Sequence, residues 1–316
     1  MEGVQPKTGR EGKPSARTPR HQIQQGVYEP RSILHEPIGG DDLLDELMGA
    51  LLETLFGAPN PLVVMVHLLP LPGSPFHDEG GGLKAVLDRA VADAEAAREG
   101  GAHGIVVENF GDMPFLPVPV EPITTACVTR AVGDVREAVD LPCGVSVLRN
   151  DAAAALSIAS VAGGSFIRVG VHTGTMVTDQ GIIRGTAHET LRLRKLLESD
   201  VRIFGDFQVK HAAALAPPDL DRDARDLVER GLADTVVVSG IGTGVPAELD
   251  IVRRVKRAIP ETPVLLGSGV DAENVADMLA AGDGAIVGSS VKEDGKLGQP
   301  VSARRVRELI RRARGG

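Results

Sequence analysis

From residue 61 to residue 314 the sequence alternates eight short apolar runs with eight helical patterns, and few architectures accommodate that rhythm. The runs lie at Leu62 to His67, Gly104 to Glu108, Gly144 to Leu148, Phe166 to Val169, Val201 to Asp206, Thr235 to Ser239, Val264 to Gly267 and Ala285 to Gly288. Each is nearly continuous in apolar residues, as parallel strands covered on both faces are. Apolar recurrence at three- and four-residue steps predicts helices at about Leu83 to Glu99, Ile123 to Val139, Ala152 to Ala162, Ala187 to Glu198, Asp221 to Arg230, Ala247 to Ile259, Ala272 to Ala281 and Ala303 to Arg314. Strict βα alternation predicts an α/β fold of the closed (β/α)8 TIM-barrel type, with an open doubly wound sheet as the alternative. The strand count and the glycine turns that end the last two strands favour the barrel. Loops that follow the strands then share one rim, and the active site is expected there.

The last two strands carry the plainest chemical signal. Leu265 runs into Gly267-Ser268-Gly269; a helix capped by Asp271 stops at Gly282, and the next strand ends in Gly288-Ser289-Ser290. Glycine lets the backbone approach a ligand, and free N–H groups at strand ends and helix starts attract an anion. Paired turns on adjacent strands therefore predict a phosphate cup made of Gly267, Ser268, Gly269, Gly288, Ser289 and Ser290, where barrels of this type hold phosphate.

Polar groups close the other strands: His67, Glu108 and Asn109, Arg149 with Asn150 and Asp151, Arg168, Asp206, Lys210 and His211, and Ser239. Glu108 and Asp206 each end an apolar run, where burial raises a carboxyl pKa and prepares a proton acceptor; pairing with Arg168 or Lys210 for structure is the alternative. Lys210 suits stabilisation of an oxyanion, with Schiff-base chemistry as a second possibility. The expected catalytic set is Asp206, Lys210 and Glu108, with His67, Asn109, Asn150, Arg168, Asp179, His211 and Ser239 on the substrate. Asp179 belongs to a long stretch after the fourth strand, and such length points to function rather than connection. The proline- and glycine-rich stretch from His67 to Pro75, closed by Gly80-Gly81-Gly82, suits a lid. His67, Glu108, Asp206 and His211 could meet at a divalent metal, but no short-spaced ligand pair appears. No cofactor is required by these residues; a divalent metal and FMN are the alternatives. His172 and His188 read as plain loop and helix-start residues.

A formal net charge of −9 argues against a nucleic-acid partner. Cys127 and Cys143 form neither a disulfide framework nor a metal motif, and no apolar stretch is long enough to span a membrane. The expectation is a cytoplasmic homo-oligomer that binds a small phosphorylated ligand, with peripheral membrane association left open. Residues 1–40 are polar and aperiodic, and are expected to be a disordered arm. Residues 41–57 follow an amphipathic pattern through Leu44, Leu47, Met48, Leu51, Leu52 and Leu55, which suits packing on the barrel floor or on a partner subunit. The barrel is assigned to residues 61–314.

Seven motifs then add up to a resemblance. His67-Leu-Leu-Pro-Leu-Pro-Gly-Ser-Pro, Glu108-Asn-Phe-Gly-Asp, Val147-Leu-Arg-Asn-Asp, Phe166-Ile-Arg-Val, Thr178-Asp-Gln-Gly-Ile-Ile, Val209-Lys-His-Ala and Val264-Leu-Leu-Gly-Ser-Gly-Val, in this order, resemble the BtpA/SgcQ family from about Leu62 to Arg312. The resemblance implies a barrel enzyme of unsettled reaction; the family name comes from a member linked to accumulation of photosystem I, and other members accompany sugar-uptake genes. Gly205 and Phe207 flank Asp206 where the family pattern has Ala and Val, and Gly170 stands where Asn is common; Asp206 and Lys210 are kept. The expected function is an enzyme acting on a sugar phosphate or nucleotide-like metabolite by acid–base chemistry at the rim. A non-catalytic biogenesis or assembly factor and an FMN-binding barrel are the alternatives.

Overall fold

The computed structural model describes residues 51–315. In chain order its strands are β1 (Leu62–His67), β2 (Gly104–Glu108), β3 (Cys143–Ser146), β4 (Phe166–Val169), β5 (Thr175–Thr178), β6 (Gly181–Arg184), β7 (Arg202–Phe207), β8 (Ala212–Ala214), β9 (Thr235–Val238), β10 (Val264–Leu266) and β11 (Ala285–Val287). Eight of them close a parallel barrel in the order β1-β11-β10-β9-β7-β4-β3-β2, and β6-β5-β8 form a separate antiparallel sheet. The helices are α1 (residues 51–56), α2 (Gly82–Gly100), α3 (Pro122–Ala138), α4 (Ala152–Ala162), α5 (Ala187–Leu196), α6 (Leu220–Arg225), α7 (Leu249–Ala258), α8 (Val275–Leu279) and α9 (Ala303–Ala313). Among the described residues, no helix is long and apolar enough to cross a membrane.

The barrel strands fall where the apolar runs predict them, and the departures have local causes. β3 stops at Ser146 because the chain then turns, and the Asn109 carboxamide accepts the Leu148 N–H at 2.7 Å. α8 is short because the Asp271 carboxylate accepts the N–H groups of Glu273 and Asn274 and holds a turn ahead of it. The long stretch after β4 is a hairpin, not a loop: Thr175 to Thr178 pairs with Gly181 to Arg184 and, on its other edge, with Ala212 to Ala214.

Alternation along each strand sorts side chains onto two faces. Leu62, Val64, Val66, Ile105 and Val107 point outward and pack with the helices, whereas Val63, Met65, Val106, Phe166, Phe204, Val237, Leu265 and Ile286 fill the interior. Leu52 and Phe56 of α1 join that interior set from below. The Phe56 ring meets Phe166 edge-on with centroids 5.6 Å apart, and Phe166 stacks on Phe204 at 4.3 Å. Three rings fit only because two strands give up side chains: a Cβ on Gly104 would overlap Phe56, and one on Gly144 would overlap Phe166. Of the expected helix over residues 41–57, only residues 51–56 are described, and they are helical and seated on the barrel floor. The expected arm and the start of that helix lie outside the described residues.

Phe56→Ala removes the centre of this plug from a floor that cannot collapse around glycines, so it should destabilise the protein by about 3–5 kcal/mol in urea unfolding. A loss below about 1 kcal/mol would mean that α1 is peripheral to the core.

Candidate active site

The pleat that builds the interior also builds the site. Beyond the apolar layer, the next inward position on every strand is polar or glycine: His67, Glu108, Ser146, Arg168, Asp206, Ser239, Gly267 and Gly288. Barrel interiors otherwise take branched apolar residues at such positions. A cavity of about 430 Å³ opens at this level, and seven of the eight line it, Ser239 being the exception.

At its base, Arg168 and Asp206 form a buried two-point ion pair, with Nε to Oδ1 at 2.8 Å and Nη2 to Oδ2 at 2.9 Å. Register explains it: Arg168 on β4 sits opposite Phe204 on β7, so Asp206 is its diagonal neighbour on the same face. Arg168 directs two donors at Asp206, with Ser239 Oγ at 3.5 Å from Nη2, and both Asp206 oxygens accept from Arg168. Glu108 is differently placed. Ser146 donates to its Oε1 at 2.9 Å, and its Oε2 lies 3.7 Å from His67 Nε2. Burial raises the Glu108 carboxyl above the usual carboxylate range, against the opposing pull of Arg168 and Lys210.

His67 stacks on Phe110 at 4.4 Å, and its buried Nδ1 has no hydrogen-bond partner. Burial, with the cations of Lys292, Lys210 and Arg168 nearby, holds it well below its ordinary pKa, so its imidazole is neutral at pH 7. Lys210 reaches the same cavity and donates to the Gly267 carbonyl at 3.1 Å. Burial, reinforced by Arg168, pulls its ammonium down to about 8, although Asp206 and Glu108 oppose the shift.

Several other expected ligand residues are braces. Asn109 accepts from Leu148 N–H and donates to the Leu148 carbonyl at 3.4 Å, and it does not line the cavity. Asn150 lines the cavity, but its amide grips both backbone groups of Val171, at 2.7 and 3.0 Å. Ser268 donates to the Val245 carbonyl and accepts from Gly240 N–H, while Ser290 donates to the Val270 carbonyl and lies off the cavity. The stretch after β1 does not hang free as a lid, because Asp112 accepts the Leu71 N–H at 2.8 Å and Gly111 N–H donates to Leu68. Asp179, at the β5–β6 turn, overhangs the cavity, and His211 is joined to Thr243 at 3.0 Å.

On the far wall, Gly244, Gly269, Gly288 and Ser289 come together. Gly269 has φ +69° and its missing Cβ would overlap Pro246, so its geometry is required by the fold; a Cβ on Gly288 would meet side chains only, His67 at 3.3 Å and Met65 at 3.7 Å. Ser289 opens a single 3-10 turn, Ser289–Val291, whose first amides have no intrahelical acceptor. Gly244, Ser146, Phe110 and Arg149 line the cavity without having been assigned from sequence. The run Gly240-Ile-Gly-Thr-Gly was a third glycine signal, and Ser146 was legible as the inward polar end of β3. Among the described residues, no three His, Cys, Asp or Glu side chains converge on a metal position.

The BtpA family model matches residues 58–315. The chain is similar to the photosystem I biogenesis protein BtpA of Synechocystis sp., at 46% identity over 255 residues covering 81% of this chain and 88% of that protein. It is also similar to the sgc region protein SgcQ of Escherichia coli, at 30% identity over 260 residues, 82% of this chain and 96% of that one. Among solved structures, N-(5'-phosphoribosyl)anthranilate isomerase from Pyrococcus furiosus has a TM-score of 0.50 over 81% of this chain and 100% of its own, at 16% identity, a likeness of fold.

The charges around Lys210 make a titration the direct check. Its ammonium should titrate near 8 in lysine-labelled NMR spectra, and Asp206→Asn, which removes an anion that holds the proton on, should move that value lower. Because the unfolded chain keeps this proton to about 10.5, stability should rise with pH between about 8 and 10.5, and Lys210→Met should flatten that rise. An upward shift in Asp206→Asn would show that Lys210 does not sense the pair.

Proposed function

The chain belongs to the BtpA family, and we propose that it is an enzyme acting on a small phosphorylated metabolite by proton transfer at the barrel mouth. One observation carries this reading: a single cavity brings together a buried carboxyl shifted up, a lysine shifted down to about 8 and a neutral histidine, beside a wall of glycine turns. Groups whose pKa values are drawn toward neutrality are the ones that exchange protons at physiological pH.

The roles follow from the hydrogen bonds. Glu108 is the proton acceptor and donor, because one of its oxygens faces only His67 while both Asp206 oxygens are engaged by Arg168. Lys210, as an ammonium, stabilises the oxyanion that forms when a proton leaves the adjacent carbon. Neutral His67, with Nε2 3.7 Å from Glu108 Oε2, passes a proton to or from that carboxyl or orients the substrate. Gly244, Gly269, Gly288 and the opening of the Ser289 turn hold the phosphate through backbone N–H groups.

The name of the Synechocystis relative favours a second reading, a biogenesis factor for a membrane complex. A scaffold alone has no use for Glu108, His67 and Lys210 around one cavity, and loss of function on Glu108→Gln without loss of fold separates the two readings.

A thermal-shift panel of sugar phosphates and nucleotides should contain a ligand that, at a hundred times its Kd, adds about 2.7 kcal/mol. Gly288→Ala, the cup variant the backbone can accept, should weaken every such ligand. With a substrate in hand, Glu108→Gln should cut turnover by about a hundredfold or more and change binding only a few fold. Turnover should rise as Glu108 ionises and fall above about 8 as Lys210 loses its proton. A panel without a single stabilising phosphorylated compound would sink the proposal.

A further inference from the structure

Arg149 is a buried cation without a counter-charge. Its side chain lines the cavity while the residue is only 9% exposed. Its guanidinium donates through Nη2 to the Lys210 carbonyl, and among the described residues no carboxylate lies within ion-pair distance of it. The acid nearest in sequence is committed elsewhere: Asp151 accepts the Val120 N–H on Oδ2 and the Ala154 N–H on Oδ1. Arg168 and Lys292, the other buried cations, have Asp206 and Asp93 as partners at 2.8 and 3.0 Å. Water is the natural solvent for a bare guanidinium, and burying one without an anion is unfavourable unless a ligand supplies it.

The chain is built to keep Arg149 in place. Asn109 fastens Leu148 before it, Asn150 fastens the next loop after it, and its own N–H donates to the Leu116 carbonyl at 3.1 Å. Around the barrel, β3, which leads into Arg149, is four strands from β10 in either direction. The Arg149 guanidinium reaches the Lys210 carbonyl and the Lys210 ammonium reaches the Gly267 carbonyl, so the length of one lysine separates Arg149 from the turn that contains Gly269. Asp179 is the other acid at the cavity edge, and no ion pair joins it to Arg149.

We propose that Arg149 is a second anion subsite facing the glycine cup, so that the substrate is a small metabolite with an anionic group at each end, a phosphate in the cup and a carboxylate or second phosphate on Arg149. The planar guanidinium matches either oxyanion in two-point geometry. This inference rests on the reading of the cup as a phosphate site. It narrows the substrate class to phosphorylated sugar acids and sugar bisphosphates.

The experiment is calorimetric titration with matched pairs: glycerol 3-phosphate against 3-phosphoglycerate, glucose 6-phosphate against 6-phosphogluconate, and fructose 6-phosphate against fructose 1,6-bisphosphate. In at least one pair the doubly anionic member should bind about tenfold tighter or more. Arg149→Gln should erase that advantage and leave the singly phosphorylated member within about twofold, while Arg149→Lys, which keeps the charge and a donor for the Lys210 carbonyl, should restore it in part. The carboxylate and bisphosphate pairs tell the two second anions apart. If the singly phosphorylated members bind and no pair shows an advantage, or if Arg149→Gln weakens both members equally, this inference falls and the cup stands. If no member of any pair binds, the cup reading and this inference fall together.

Discussion

The site depends on the buried ion pair between Arg168 and Asp206. It joins neighbouring strands β4 and β7 directly above the Phe166–Phe204 stack, so the same two strands present an aromatic layer and then a charged one. Such a pair is poor evidence of net stabilisation, but removing one partner leaves a charge with no water to receive it. The pair is also electrically balanced as a unit. Its two members pull the Lys210 proton in opposite directions, which leaves burial as the main cause of that lysine's lowered pKa. Arg168 and Asp206 are thereby fixed on each other.

The walls divide the labour unevenly. On the β1–β2 side, Asp112, Asn109 and Gly111 lock two loops to each other and to the turn after β3. On the β4–β7 side, loop segments pair into the three-stranded sheet β6-β5-β8, whose turn carries Asp179 over the cavity. Small polar residues that look like ligands, Asn109, Asn150, Ser268 and Ser290, spend their hydrogen bonds on backbone. They hold the backbone around Arg149, Gly170 and the glycine turns where it is.

The barrel was legible because buried parallel strands leave nearly unbroken apolar runs, and the site's level was legible because six of the eight runs end in a polar residue or glycine. Partners were not. Nothing along the chain says that Arg168 stands diagonal to Asp206; that depends on the register between β4 and β7, so a residue assigned to substrate proved to be engaged by a carboxylate. The hairpin was missed because four-residue strands beside a three-residue one leave too little alternation to detect. Arg149 was visible among the rim residues, yet its significance lies in the lack of a nearby carboxylate, a property of three-dimensional neighbours. The floor was half visible: Leu52 and the residues before it announced an amphipathic helix, while the glycines that make room for Phe56 and Phe166 carried no sign of their purpose.

The aromatic plug has a consequence for traffic and for attachment. With Phe56, Phe166 and Phe204 closing one end, the barrel is a blind well, and solvent and any ligand must use the same opening. α1 lies at the sealed end, on the face opposite that opening. Contact at that closed end leaves the opening clear.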